Sequence, residues 1–296
     1  MTTKRQHFVP RFYLRHFTND EGKFRAYRRA IGSYFTTAPE NLCVENYLYD
    51  AKQIAHAKEE DKYLSNYIDN KLAAAEGRLV PLFNQLIDCC EKRDFRTDKY
   101  HEGRLAACIL AASLIVRHPC TLNQERDKSK ELLKSMLYNA TEQELDWLEH
   151  EGRRDYLEAI CEIAIMWALL FSEESSTPLM HIYNSFAGMK MTVIQAPAEM
   201  EFVTASMPLN LFGIEEGSYE FQTAYLPLTS KYAALFTTSN EIIEFRELSI
   251  EETIDFNMML LANDLWDTAV SRSERSLTAA VNKLQGLKNT LESTAD

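Results

Sequence analysis

The sequence predicts an α+β fold that is predominantly helical. A central helical block is flanked by strands from both ends of the chain, which join in one mostly antiparallel sheet, and a long helix closes the C-terminal side. Three observations carry this reading. Only 9 Gly and 8 Pro occur among 296 residues, so few residues interrupt helices. Through the middle of the chain apolar residues recur at helical spacing. Near residue 180 the period shortens to the alternation of strands.

Pro10 reads as the first turn of a short helix with Arg11–Phe17 inside it, because its fixed φ suits that position. GKFRAYRR (22–29) alternates like a strand, and SYFTT (33–37) is its hairpin partner. Residues 57–92 carry Tyr63, Tyr67, Leu72, Leu79, Leu82, Phe83, Leu86 and Ile87 at helical spacing. Capping-box patterns at Thr121–Gln124, Thr141–Glu144 and Ser249–Glu252 mark later helix starts. Between them fit helices at about 98–118, 123–138, 142–150 and 153–173. MKMTVIQA (189–196) and MEFVTAS (200–206) form a hairpin around Pro197, and 224–229, 232–238 and 241–248 are further strands. Helix returns from Ser249 to about Leu291. The N-terminal strands are too short to stand alone, so they are expected to join the C-terminal sheet. That makes 1–296 one domain: a basic helix and hairpin (1–50), a helical block (51–178), a sheet (179–248) and a closing helix (249–291).

Composition narrows the function. Apolar residues make up 46% and charged residues 26%, an ordinary globular balance. The net charge is −12, yet residues 1–30 hold eight Lys/Arg against Asp20 and Glu21, leaving −18 for the remainder. An acidic body excludes broad duplex binding, which draws its affinity from phosphate neutralisation. A local basic patch can still take one phosphate or one short strand, unless its arginines simply pair with the acidic body. The six cysteines show no CxxC and no framework, and no secretion-like stretch opens the chain; free thiols in the cytoplasm are expected. The longest apolar runs, Leu105–Val116 and Ala159–Phe171, are too short to span a bilayer, so no membrane is expected.

No Gly-rich phosphate loop, GxSxG elbow, HExxH or closed zinc spacing occurs, so no metal-ligating set is assigned and no cofactor is specified. Paired carboxylates such as Glu59-Glu60, Glu173-Glu174 and Glu251-Glu252 are sequence neighbours on different helix faces and read as solvated surface. Of seven scattered histidines, His56, His150 and His181 sit among polar residues and read as surface. His7 keeps different company. Arg11 and Arg15 share one helix face just beyond it, while Phe8, Phe12, Leu14 and Phe17 fix the other side to the core. A helix start beside two arginines makes an anion site, and the imidazole adds a group that exchanges protons near neutrality. The competing reading is a docked amphipathic helix whose arginines snorkel.

QHFVPRFYLRHF (6–17) resembles the opening signature of a bacterial family known as domain of unknown function 4238. Similar islands follow at ENYLYD (45–50), IVRHP (115–119), TASMPL (204–209) and YLPLTS (225–230). The resemblance implies a helix glutamate at Glu76 and a buried-helix arginine at Arg117, and it brings in Thr204 and Ser206. Ser206 aligns with the family's aspartate and Met207 with the asparagine after it. Ser206 either replaces a functional carboxylate or substitutes for an aspartate that caps a turn.

Two readings follow. In the first the chain is a phosphate-ester or phosphodiester hydrolase, acting on a substrate such as RNA or DNA in a toxin or phage-defence setting. His7 would be its general acid/base, Arg11 and Arg117 would hold the phosphate, and Glu76 would orient or exchange a proton, with Arg15, Thr204 and Ser206 also binding substrate. The partner is then a short nucleic acid or nucleotide at the basic N-terminal patch. In the second it is a noncatalytic binding or adaptor module with a protein partner, and an Arg117–Glu76 pair is structural.

Overall fold

The computed structural model describes residues 5–51, 64–171, 177–213, 221–239 and 243–295. The fold is α+β and predominantly helical. His56, Glu59-Glu60, Glu173-Glu174, the start of the expected helix 57–92, and residues 241–242 of the last expected strand lie outside the described residues.

The N-terminal segment folds much as its pattern directs. After a short strand, β1 (Arg5–His7), Pro10 sits at φ −58° before α1 (Arg11–Leu14), which tightens into a 3₁₀ turn through Phe17. Helix therefore covers 11–17, and His7 lies on a strand rather than in the helix. Phe8, Val9, Tyr13, Leu14 and Phe17 are buried, whereas Arg11 and Arg15 are exposed. The hairpin of β2 (Phe24–Arg28) and β3 (Ser33–Thr37) forms in register, with Gly32 at φ 61° closing the turn. β4 (Val44–Asn46) returns to pair with β1, His7 opposite Val44.

The helical block is α2 (Tyr67–Lys92), α3 (Asp98–Val116), α4 (Pro119–Asn139), α5 (Glu142–His150), α6 (Arg154–Phe171) and α7 (Pro178–Gly188). α3 is buried through most of its length, from Tyr100 to Val116. The Thr141 box caps α5 as expected. The Thr121–Gln124 box does not start a helix: α4 begins two residues earlier. Pro119 takes the first turn, and His118 Nδ1 accepts the Cys120 N–H at 3.3 Å. Thr121 instead donates back to the Ile115 carbonyl at 2.9 Å. α7 went unassigned in the sequence, although Pro178 stands at its first turn.

The C-terminal strands are β5 (Lys190–Gln195), β6 (Thr204–Ala205), β7 (Asn210–Phe212), β8 (Thr223–Pro227), β9 (Tyr232–Thr237) and β10 (Phe245–Glu247). The expected closing helix breaks into α8 (Ile250–Leu261), β11 (Thr268–Ser271) and α9 (Glu274–Ala295). This break corrects the expectation of one sheet. β11 pairs with β2 on one side and β6 on the other, giving the order β3-β2-β11-β6. A separate sheet runs β10-β5-β9-β8-β7, antiparallel except for the β10–β5 pair. The expected hairpin of 189–196 with 200–206 is thereby split between two sheets. N-terminal and C-terminal strands do share a sheet, through a strand hidden between two helices.

Tyr13, Phe17, Phe83, Leu110, Tyr225 and Ala269 all belong to one continuous apolar cluster. We therefore keep the proposal of one domain spanning 1–296. Limited proteolysis is expected to release no stable fragment on either side of residue 180; recovery of two folded pieces would refute it. Among the described residues no single helix is long and apolar enough to cross a membrane.

Candidate functional site

Arg117 follows the twelve-residue apolar run of α3 and is only 3% exposed. Burying a guanidinium is costly unless every nitrogen finds an acceptor. Here each does. Nε donates to the Tyr49 hydroxyl at 3.0 Å, Nη1 to Glu76 Oε1 at 2.7 Å and Nη2 to the His7 carbonyl at 2.7 Å. The Tyr49 hydroxyl donates to the same His7 carbonyl at 3.0 Å. The Tyr49 N–H donates to Gln6 Oε1 at 2.7 Å, and the Asn66 N–H donates to Asp50 Oδ1 at 2.7 Å. One buried cation thus ties β1, the segment after β4, α2 and α3 together.

Electrostatics follow from this geometry. Burial pushes the Tyr49 phenol up, partly offset by Arg117. Burial alone would lower Arg117, yet Tyr49 and Glu76 outweigh it and hold the guanidinium charged. Asp50 and Asp69 are both raised, chiefly by burial.

A second arginine repeats the device. Arg126 on α4 donates to Glu162 Oε1 on α6 at 2.6 Å and to the Leu48 carbonyl. Adjacent residues 48 and 49 are therefore clamped by two arginines from two helices. The sequence reading missed Gln6, Tyr49, Asp50, Asn66 and Arg126 as members of these networks. The one available signal was Glu162, a carboxylate inside an apolar run.

Of the seven residues singled out from sequence, only Glu76 and Arg117 line a common cleft. His7 joins Arg117 through its main-chain carbonyl, and no hydrogen bond links its ring to Glu76 or Arg117. The ring is half-buried, with Nε2 buried and unbonded. Burial and the nearby Arg11 charge lower its pKa, so it is neutral at neutral pH. Arg11 is exposed, and Arg15 makes a loose surface pair with Glu40 at 3.5 Å. Arg25 and Arg29 pair with Glu274 and Asp264 of the C-terminal part, so part of the basic N-terminal charge meets the acidic body. Thr204 and Ser206 stand elsewhere. Thr204 Oγ1 lies 2.8 Å from the Tyr13 hydroxyl, which donates to the Pro227 carbonyl at 2.9 Å. Ser206 Oγ accepts the Asp267 N–H at 2.9 Å and the Thr268 N–H at 3.4 Å, anchoring the start of β11. An aspartate there would accept the same two donors, which favours the capping role for this position.

Histidine burial sets an expected pH dependence. His7, His16 and His118 are all held below their ordinary value of 6.5, with burial the leading cause for each. Unfolding restores that value, so below it the unfolded chain binds more protons. Stability is expected to be full above about pH 7 and to fall as pH drops through about 6.5 towards the folded values. Melts across this range check it; a Tm that stays flat or rises on acidification would contradict it.

These features define a helical block, a short β1–β4 ladder and two larger sheets, with Arg117 and Arg126 tying the N-terminal segment to the helices and an apolar cleft beside Arg117. The chain belongs to the family described as "Protein of unknown function (DUF4238)", whose model matches residues 5–285. No curated protein and no solved structure matches it significantly.

Proposed function

We propose that the chain is a noncatalytic binding module whose signature residues hold the N-terminal segment onto the helical block. What supports this reading most is that each nitrogen of Arg117 is already engaged, with three of its five N–H groups donating to the protein. All three of its nitrogens donate to protein acceptors, which leaves it poorly placed to hold a phosphate. The glutamate expected to orient a substrate is engaged by the same arginine, and His7 contributes an atom that any residue would supply. The six free cysteines favour a cytoplasmic setting.

The test sets this module against the phosphate-ester hydrolase of a toxin or phage-defence system. Purified protein is incubated with a generic phosphodiester and a short single-stranded RNA, with and without magnesium or manganese. His7→Ala is carried alongside. The binding-module reading expects no turnover above background and a His7→Ala variant that melts close to wild type. Turnover that vanishes in a fully folded His7→Ala protein would overturn it.

A further inference from the structure

Glu76 and Arg117 line a cleft of about 290 Å³ that also draws its walls from α2, α3, the end of α6 and the start of α7. That volume lies just under the range of small-ligand sites, which begins near about 300 Å³. Apart from Glu76, Arg117, Arg78 and Ser113 the walls are aliphatic or aromatic, with Leu72, Leu79, Leu82, Ile109, Phe171 and Leu179 among them. Ile109 is 43% exposed here. Arg78 lines the same cleft and is exposed, with no hydrogen bond or ion pair among the described residues.

The three charged side chains of the cleft are unequal as ligand partners. Glu76 is neutralised by Arg117 at 2.7 Å, so the pair offers little net charge to an incoming group. Arg78 carries one that no described residue compensates. A ligand that matches these walls needs an apolar body and one negative head. At a water-like share of ~30 Å³ per heavy atom the cleft takes about ten such atoms. We propose that this cleft binds a medium-chain aliphatic carboxylate or a similar amphipathic anion. Its tail lies along Leu72, Leu79 and Ile109, and its head meets the Arg78 guanidinium. This deepens the binding-module reading and rests on it.

Isothermal titration of the full chain with hexanoate, octanoate, decanoate, decanol and decylamine tests the assignment. Decanoate is expected to bind saturably at one site, each loss of two carbons weakening it about tenfold. Arg78→Glu is expected to weaken decanoate at least about tenfold while melting like wild type, since Arg78 has no partner to lose among the described residues. Leu79→Trp, which fills the cleft, is expected to abolish binding. No decanoate binding at millimolar concentration to folded protein overturns the proposal. So does decylamine or decanol binding as tightly as decanoate, or an Arg78→Glu protein with unchanged affinity. These results are separable from the reading beneath them, because lost turnover in His7→Ala would remove the module while leaving the titration intact.

Discussion

Arg117→Ala is expected to destabilise the fold by ~3–5 kcal/mol, the usual cost of breaking a buried charge pair by removing one partner. The substitution strands acceptors contributed by three parts of the chain: the Tyr49 hydroxyl, Glu76 Oε1 and the His7 carbonyl. Two features limit the loss. Tyr49 still donates to His7, and Glu76, 26% exposed, can recover some water. Were Arg117 exposed, the pair would contribute about 0–1 kcal/mol, so the size of the loss decides between lock and ornament. At roughly 2–4 °C per kcal/mol for chains of this general size, the melt should fall by about 10 °C. Arg117→Lys keeps the charge but not the fork, and is expected to recover only part of the loss. Arg117→Met combined with Glu76→Gln removes both charges and fills the space. It should melt well above Arg117→Ala, because no buried charge is left alone. Denaturant midpoints of the three variants against wild type measure this; an Arg117→Ala protein within about 1 kcal/mol of wild type would rule the lock out.

How far this site was readable in the sequence depends on which atoms it uses. Arg117 was legible because a cation ending a twelve-residue apolar run must be buried or snorkel. Glu76 came only from family resemblance, since nothing in the α2 pattern distinguishes it from Glu91 or Asp88. The contribution of His7 was illegible in principle. Its carbonyl accepts from Arg117 and Tyr49, and a carbonyl leaves no mark on side-chain identity. The strand β11 was hidden for another reason: TAVS (268–271) is four residues between two amphipathic helices, shorter than a periodicity window resolves. Its one local warning is Asn263-Asp264. Asn263 accepts the Leu265 N–H at 3.0 Å, the short polar turn that ends a helix. Missing it turned two sheets into one. The basic N-terminus was read correctly as a charge pattern, but its partners, such as Glu274 for Arg25, lie far along the chain and no local signal pairs them.

Gly103→Ala is expected to cost about 1–3 kcal/mol although alanine is the better helix former. In the interior of α3 alanine gains roughly 1 kcal/mol of helix propensity over glycine. Against that gain stands the approach of α2. A Cβ at residue 103 would lie 2.7 Å from Leu86 Cβ and 2.9 Å from both Leu86 Cα and its nitrogen. These atoms are backbone, or fixed to it, so no rotamer change relieves the overlap. The helices must part, and overpacking of this kind costs about 1–3 kcal/mol and occasionally more. The steric effect wins. Leu86→Ala in the same chain is expected to give no rescue, because alanine retains all three clashing atoms. Gly77→Ala on α2 meets nothing within 4 Å and supplies the opposite sign, a gain of about 0.5–1 kcal/mol. The tetrapeptide HEGR sharpens the contrast, for it occurs at both 101–104 and 150–153. In the second copy Gly152 adopts φ +60° with open space around it. Its N–H donates to the Glu149 carbonyl at 3.2 Å and the Arg153 N–H to Leu148 at 2.9 Å, closing α5. Gly152→Ala should therefore also destabilise, but through backbone strain of ~1 kcal/mol that Asn at the same position partly relieves. Gly103→Asn should be worse than Gly103→Ala, since volume and not φ is the constraint. Chemical denaturation of the five single variants reads all the signs together. A Gly103→Ala protein as stable as wild type would mean that α2 and α3 do not approach this closely.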